Sequence, residues 1–166
     1  MTRSASRSRE RARARAMSLA ASPAGSWFYL HIANPIDRRL LPATNGRLSL
    51  SVGQPVPCLE VVGAKSGQIR RTPLLFTEVD GDVVIVASAT GRPRHPAWYH
   101  NLRANPNVKI YAPGGRSGHY VARTTEGAER ERMWAAARDL YAGFDVYVDR
   151  VAGARQIPVV ALTRSS

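Results

Sequence analysis

The chain has 166 residues, enough for one domain with a single hydrophobic core. Apolar residues make up 44% of it, and no apolar run approaches the roughly 18 residues that a membrane-spanning helix needs. Twenty-four Lys and Arg against 12 acids give a net charge of +12, which suits nucleic acid, an anionic membrane surface or a polyanionic small molecule and by itself selects none of them.

Residues 1–25 are rich in Arg, Ser and Ala without a periodic apolar face, and read as a disordered tail. Six arginines and Glu10 within it supply five of the twelve net charges, leaving +7 on the rest of the chain. The tail lacks the apolar centre of a secretory signal and the amphipathic spacing of a transit peptide. Met17 stands as an alternative start. The folded domain is expected over residues 26–166. Trp27, Phe28, Leu30, His31 and Ile32 suggest a short helix, interrupted at Asn34-Pro35 and resumed through Ile36, Leu40 and Leu41. With Arg38 and Arg39, this apolar and basic segment also admits peripheral contact with a membrane surface.

Val56 to Val62 reads as a strand, and Cys58 within it as a small core side chain. As the single cysteine it cannot form an internal disulfide, which favours a reducing compartment such as the cytoplasm. A turn over Gly63–Gly67 precedes a strand from Thr72 to Val79, and Asp80-Gly81 signals a hairpin into Val83–Val86. A Gly- and Pro-punctuated loop over 88–96 leads to a helix over 97–105, stopped before Pro106. Val108–Ala112 and His119–Thr124 form a further strand pair. Met133, Trp134, Ala137, Leu140 and Tyr141 recur at helical spacing, with Thr125 as N-cap and Gly143 as the stop. Ile157–Leu162 is a last strand. Six short strands with intervening helices predict a mainly β fold with flanking helices, a largely antiparallel barrel.

Several chemistries are excluded by their missing residues. Ala64-Lys65-Ser66 lacks the glycines of a phosphate-binding P-loop, and no dinucleotide fingerprint opens a helix. His31, His95, His100 and His119 show no metal-ligand spacing, so no metal is expected. No serine sits in a nucleophile elbow. Two constellations remain. Lys65-Ser66-Gly67, followed by Arg70 and Arg71, combines an ammonium, a hydroxyl, turn N–H groups and guanidinium forks, a donor set for an anion or else a solvated hairpin. Around Arg94-His95-Pro96-Ala97-Trp98-Tyr99-His100-Asn101, Pro96 near a helix start leaves N–H groups free, and one of the adjacent Trp98 and Tyr99 is expected to pack inward while the other lines a cleft.

Gly63 to Leu75, followed by His95 to Leu102 and Asn105-Pro106, resembles the deazaflavin (F420)-dependent nitroreductases, also called F420H2-dependent quinone reductases, over about Asn34 to Leu162. The resemblance implies a split β-barrel that binds coenzyme F420. It implies that Ala64, Lys65 and Ser66 meet the cofactor's phosphate and acidic tail, with Arg70 and Arg71 neutralising them. Thr72, Pro73, Leu74 and Leu75, with Val86, Ala87, Ser88 and Ala89, would run along the ring system. Ala97, Trp98, Tyr99, His100 and Asn101 would add helix N-terminal donors and an aromatic wall. Two departures stand out: Ala64 replaces the family's usual Arg, and Phe144 lacks the hydroxyl of a tyrosine run otherwise kept at Tyr141 and Tyr147.

The activity so implied is hydride transfer to a small hydrophobic electron acceptor, such as a quinone, nitroaromatic or conjugated carbonyl compound, by a monomer or homodimer. Negative charge develops on the acceptor oxygen, and Ser88, Tyr141 and Tyr147 are the hydroxyls expected to stabilise or protonate it. FMN on the same barrel is the alternative cofactor. A nucleic-acid partner is not expected, the +7 domain being matched by a polyanionic small molecule.

Overall fold

The computed structural model describes residues 34–50 and 56–165. The expected tail, the helix over Trp27–Ile32 and part of the candidate membrane segment lie outside them. Helix α1 (Asn34–Ala43) comes first, followed by β1 (Cys58–Val62), β2 (Ile69–Pro73), β3 (Phe76–Val79) and β4 (Asp82–Val86). A single 3-10 turn (Ala89–Gly91) and α2 (Ala97–Ala104) follow, then β5 (Asn107–Tyr111), β6 (Gly118–Thr124), α3 (Gly127–Leu140), α4 (Gly143–Val151) and β7 (Val159–Arg164). No helix among the described residues is long and apolar enough to cross a membrane.

Three expectations are corrected. The strand predicted over Thr72–Val79 is two strands, which raises the count to seven. Pro73, without an N–H, closes the first, and Phe76 opens the second. Thr125 does not cap α3: its Oγ1 donates to the Val159 carbonyl at 3.1 Å, and Glu126, in extended backbone, takes the cap position. Gly143 does not end the region's helical structure. It opens α4, because α3 has already stopped at Leu140. The Asp80-Gly81 hairpin forms as predicted, both residues at positive φ (54° and 89°), as a tight turn between twisted strands requires.

The strands form one sheet in the order β2-β1-β5-β6-β7-β4-β3, with antiparallel pairing at each step. β2 and β3 are consecutive in sequence yet occupy opposite edges, with only Leu74 and Leu75 between them. Six inter-strand steps of about 4.8 Å would hold the edges of a flat sheet roughly 29 Å apart. The three Cα steps from Pro73 to Phe76 reach about 11 Å at most. The sheet must therefore curl until its two edges nearly meet, and the result is a split β-barrel.

The barrel interior is a cluster that includes Leu59, Val61, Phe76, Val83, Ile85, Ile110, Tyr120, Val160 and Leu162, with Trp98, Tyr99 and Leu102 of α2 packed into the same cluster. Alternate residues face outward. Val84, Val159 and Ala161 pack with Met133 of α3. Cys58 and Tyr111 pack with Leu41 of α1 and with Leu75. β4 and β7 thus read as unbroken apolar runs because both of their faces are covered. Cys58 is fully buried, which pushes its thiol up to about 12, so it is a core side chain and not a nucleophile. Leu162→Ala should cost about 2–5 kcal/mol by opening a cavity between central strands. Urea unfolding should show a lower midpoint at unchanged slope, and a loss under 1 kcal/mol would mean that the interior is loosely packed.

Candidate active site

The β1–β2 connection is a tight turn. Gly63 N donates to Gln68 O at 2.8 Å, and Gly67 N to Gly63 O at 2.9 Å. Gly67 sits at φ +65°, which favours glycine, and a Cβ at Gly63 would lie 2.8 Å from Ser66 Oγ and displace that hydroxyl. Ser66 Oγ accepts from Gln68 N (3.4 Å) and from Arg70 Nη2 (3.5 Å). Lys65, Ser66 and Arg70 are exposed, and the N–H groups of Lys65 and Ser66 have no partner among the described residues.

Arg70 and Arg71 do not act together. Arg70 stands opposite Val61, on the barrel-facing register, whereas Arg71 stands opposite Glu60 on the other face. Arg71 Nε donates to Glu60 Oε2 at 2.8 Å, and Tyr111 OH donates to the same carboxylate at 3.2 Å. Thr72 is half-buried and Pro73 is buried. Leu74 packs on the barrel interior and Leu75 on the α1 side.

α2 is docked directly on this turn. Asn101 Oδ1 accepts from Ala64 N at 3.1 Å, and Asn105 Nδ2 donates to Val62 O at 3.1 Å. The two sequence constellations are therefore neighbours. Pro96 caps α2 in extended backbone, and Ala97 and His100 are exposed. Trp98 and Tyr99, expected to divide between core and cleft, are instead both buried in the interior cluster, their rings edge to face at 6.2 Å. The helix is wedged against the barrel, so two directions about 100° apart both meet apolar atoms. Tyr99 keeps a polar partner, its hydroxyl lying 3.0 Å from Thr124 Oγ1.

Beyond β4, Ala87 is buried while Ser88 and Ala89 are half-buried. Ala89 and Thr90 both adopt left-handed backbone, at φ 49° and 55°, a conformation costly for residues with a Cβ. Two arginines that sequence reading missed hold this loop. Arg150 of α4 donates to Thr90 O at 3.3 Å, and Arg155 reaches four acceptors between Ala87 and His95. Arg150 sits in the last turn of a helix and Arg155 in a connection, and nothing in residue type or spacing there shows which distant carbonyls they meet. His95 Nδ1 lies 3.2 Å from Arg155 Nη1 and must accept, since guanidinium only donates. Burial, then the charges of Arg155, His100 and Arg103, hold this imidazole below its usual range.

An aromatic group sits against the end of β4. Val86, Phe144 and Val151 pack together with Trp134, Tyr141 and Tyr147. The Tyr141 and Tyr147 hydroxyls are 3.3 Å apart, and the Phe144 ring lies edge-on to both (centroids 5.3 and 6.2 Å). A Cβ at Gly143 would collide with the Tyr141 ring, which explains the glycine there. Burial, reinforced by the Tyr141 hydroxyl, pushes Tyr147 well above the usual phenol range. It is thus a neutral donor and a poor acid. A cleft of about 400 Å³ opens beside these elements, between His95, Tyr99, Glu126, Arg130 and Gln156. Of the expected site residues it is lined by Tyr99, while neither the lysine turn nor the tyrosine pair borders it.

The family model for F420H(2)-dependent quinone reductases matches residues 36–164. The chain belongs to this family. It is an oxidoreductase, and the family's cofactor is F420. An F420H(2)-dependent quinone reductase of Mycobacterium tuberculosis is 36% identical over 147 residues, covering 83% of this chain and 96% of that protein. A solved F420-H2-dependent reductase, FDR-A, is 38% identical with a TM-score of 0.59 over 65% of this chain and 93% of its own. Another solved relative, also 38% identical with a TM-score of 0.59, covers 65% of this chain and 79% of its own, and is described as a domain-swapped dimer.

Tyr147 offers a pH test within this family member. Its folded pKa lies above the unfolded value of about 10, so the linked stability is complete below that pH and is lost as pH rises past it. Tyr147→Phe should lose less Tm than the wild type between about pH 10 and 12. Equal losses would mean that the hydroxyl is solvated.

Proposed function

We propose that the chain oxidises reduced F420 by binding its acidic tail at the Lys65–Arg70 turn and α2, with the acceptor seated against Ser88, Tyr141 and Tyr147. One observation carries this reading: the Asn101–Ala64 hydrogen bond, which joins the two donor-rich segments into a single surface. The donor set fits the group. An exposed ammonium, a guanidinium, a hydroxyl and unpartnered backbone N–H groups match a phosphate bearing carboxylates. Ala64 contributes little beyond backbone, its N–H being engaged by Asn101. Arg71 is assigned to the sheet's outer face, where Glu60 neutralises it. Thr72 to Leu75 and Val86 to Ala89 would flank the ring, and Ala97 and His100 the α2 side.

When bound, reduced deazaflavin supplies a hydride. The protein's own part is orientation and charge. Lys65, Ser66 and Arg70 fix the tail and so set how far the ring enters. Val86, Phe144 and Trp134 exclude water around the acceptor. Tyr147 and Tyr141, one donating to the other, leave one hydroxyl hydrogen to point at the acceptor oxygen as its charge grows. Because Tyr147 ionises reluctantly, it serves by hydrogen bonding, and the proton that completes the reduction comes from solvent. The apolar walls support a hydrophobic, quinone-type acceptor. A homodimer is supported by the swapped relative and by the two open sheet edges, β2 and β3.

Fluorescence titration with F420 tests the tail assignment. Lys65→Ala and Arg70→Ala should each weaken binding about tenfold or more, the loss of one charge-assisted contact. Arg71→Ala should change it less than about threefold. The reverse ranking would place the tail on the outer face. Asn101→Ala should weaken binding about five- to tenfold by freeing the turn from α2, and unchanged affinity would remove the tether from the site.

A further inference from the structure

We propose that Arg155 is a positioning residue, which holds the Ala87–His95 loop in the strained form that presents Ser88 and Ala89 to the reacting ring; the inference rests on the site reading above. Arg155 lies in the link between α4 and β7, far from the loop in sequence. Its guanidinium nevertheless meets the loop at both ends. Nη2 donates to Ser88 O at 2.6 Å, Nη1 to Ala87 O at 3.1 Å and Nε to Arg92 O at 3.0 Å, while Nη1 also reaches His95 Nδ1 at 3.2 Å. A planar fork with donors on three nitrogens can serve such a set, whereas a single ammonium cannot.

The loop needs such a holder. Ala89 and Thr90 are both left-handed without being glycine, and such backbone persists only when its surroundings over-determine it. The carbonyls bound by Arg155 flank the strained pair, and the Thr90 carbonyl between them is held by Arg150. On the α4 side the fit is close: a Cβ at Gly91 would lie 2.8 Å from Arg150 Cδ and 3.3 Å from Tyr147 Cα. The loop is therefore pressed against the helix that carries Tyr147. Releasing the Arg155 fork would let the backbone after Ala87 relax toward ordinary dihedrals, moving Ser88 relative to the tyrosine pair. Arg155 touches the loop's carbonyls and not the acceptor, so its effect passes through Ser88 and Ala89.

The experiment compares wild type with Arg155→Lys and Arg155→Gln, each alone and with Ala89→Gly and Thr90→Gly added. In cofactor-free protein, amide hydrogen exchange at residues 88–92 should quicken about tenfold or more in both single variants, while β5, β6 and β7 keep their protection. In turnover with reduced F420, kcat should fall about tenfold or more, with KM for the acceptor changed less than about threefold. The two glycines, which adopt positive φ freely, should restore kcat at least about threefold in the Gln variant. NMR titration should show the His95 imidazole moving back up toward its ordinary range once the neighbouring charge is gone. Unchanged loop exchange and kcat would overturn the proposal. So would faster exchange spread evenly through the sheet with a matching fall in Tm, which would make Arg155 a general stabiliser. Failure of the wild type to bind F420 would instead strike the site reading, leaving the loop-exchange result to judge the clamp on its own.

Discussion

Two residues, Leu74 and Leu75, impose the geometry on which the molecule depends. They join strands at opposite edges of a seven-stranded sheet, a span that only a curled sheet permits. Within that sheet β1 lies beside β5, so the turn after β1 meets α2, which leads into β5, with Asn101 bound to the Ala64 backbone. The link itself is divided by the same closure. Leu74 faces inward and Leu75 faces α1, so a short connection is also part of two apolar clusters.

The proposed active site is divided by polarity. Its cationic half is made of exposed groups on a turn, cheap to solvate when no ligand is present and strong only toward multiply charged partners. Its aromatic half is made of partly buried rings behind the end of β4, where burial keeps a phenol neutral. An acidic cofactor tail suits the first half of that proposed arrangement, and a hydrophobic acceptor suits the second. The loop over Ser88–Arg92 lies at the end of β4, against the helix that carries Tyr147, and it is the most conformationally costly segment described.

Much of this was legible in the sequence. The donor-rich turn, the helix before Pro106 and the Asp80-Gly81 hairpin all carry local signals of residue type and spacing, whereas the tyrosine pair was marked by the family resemblance alone. What escaped was set by tertiary structure. Pro73 marks where the first half of Thr72–Val79 ends, but nothing local shows that the chain then crosses to the opposite edge of the sheet. Arg70 and Arg71 look equivalent as neighbours, yet strand alternation sends them to opposite faces. Thr125 looks like a cap, but the carbonyl of Val159, 34 residues away, claims its hydroxyl. Arg150 and Arg155 drew no reading from the sequence, and only the folded chain shows whose carbonyls they serve.

The wedging of α2 has a broader implication. Trp98, Tyr99 and Leu102 stopper the barrel from the same eight-residue helix whose Asn101 braces the Lys65-bearing turn. A ligand held at that helix, as proposed, would link occupancy to folding by mass action. Substitutions deep in the hydrocarbon interior can then imitate defects of recognition, and a saturating ligand can mask them. An inventory of loss-of-function variants in this protein would mix the two kinds unless each were weighed in both the empty and the filled form.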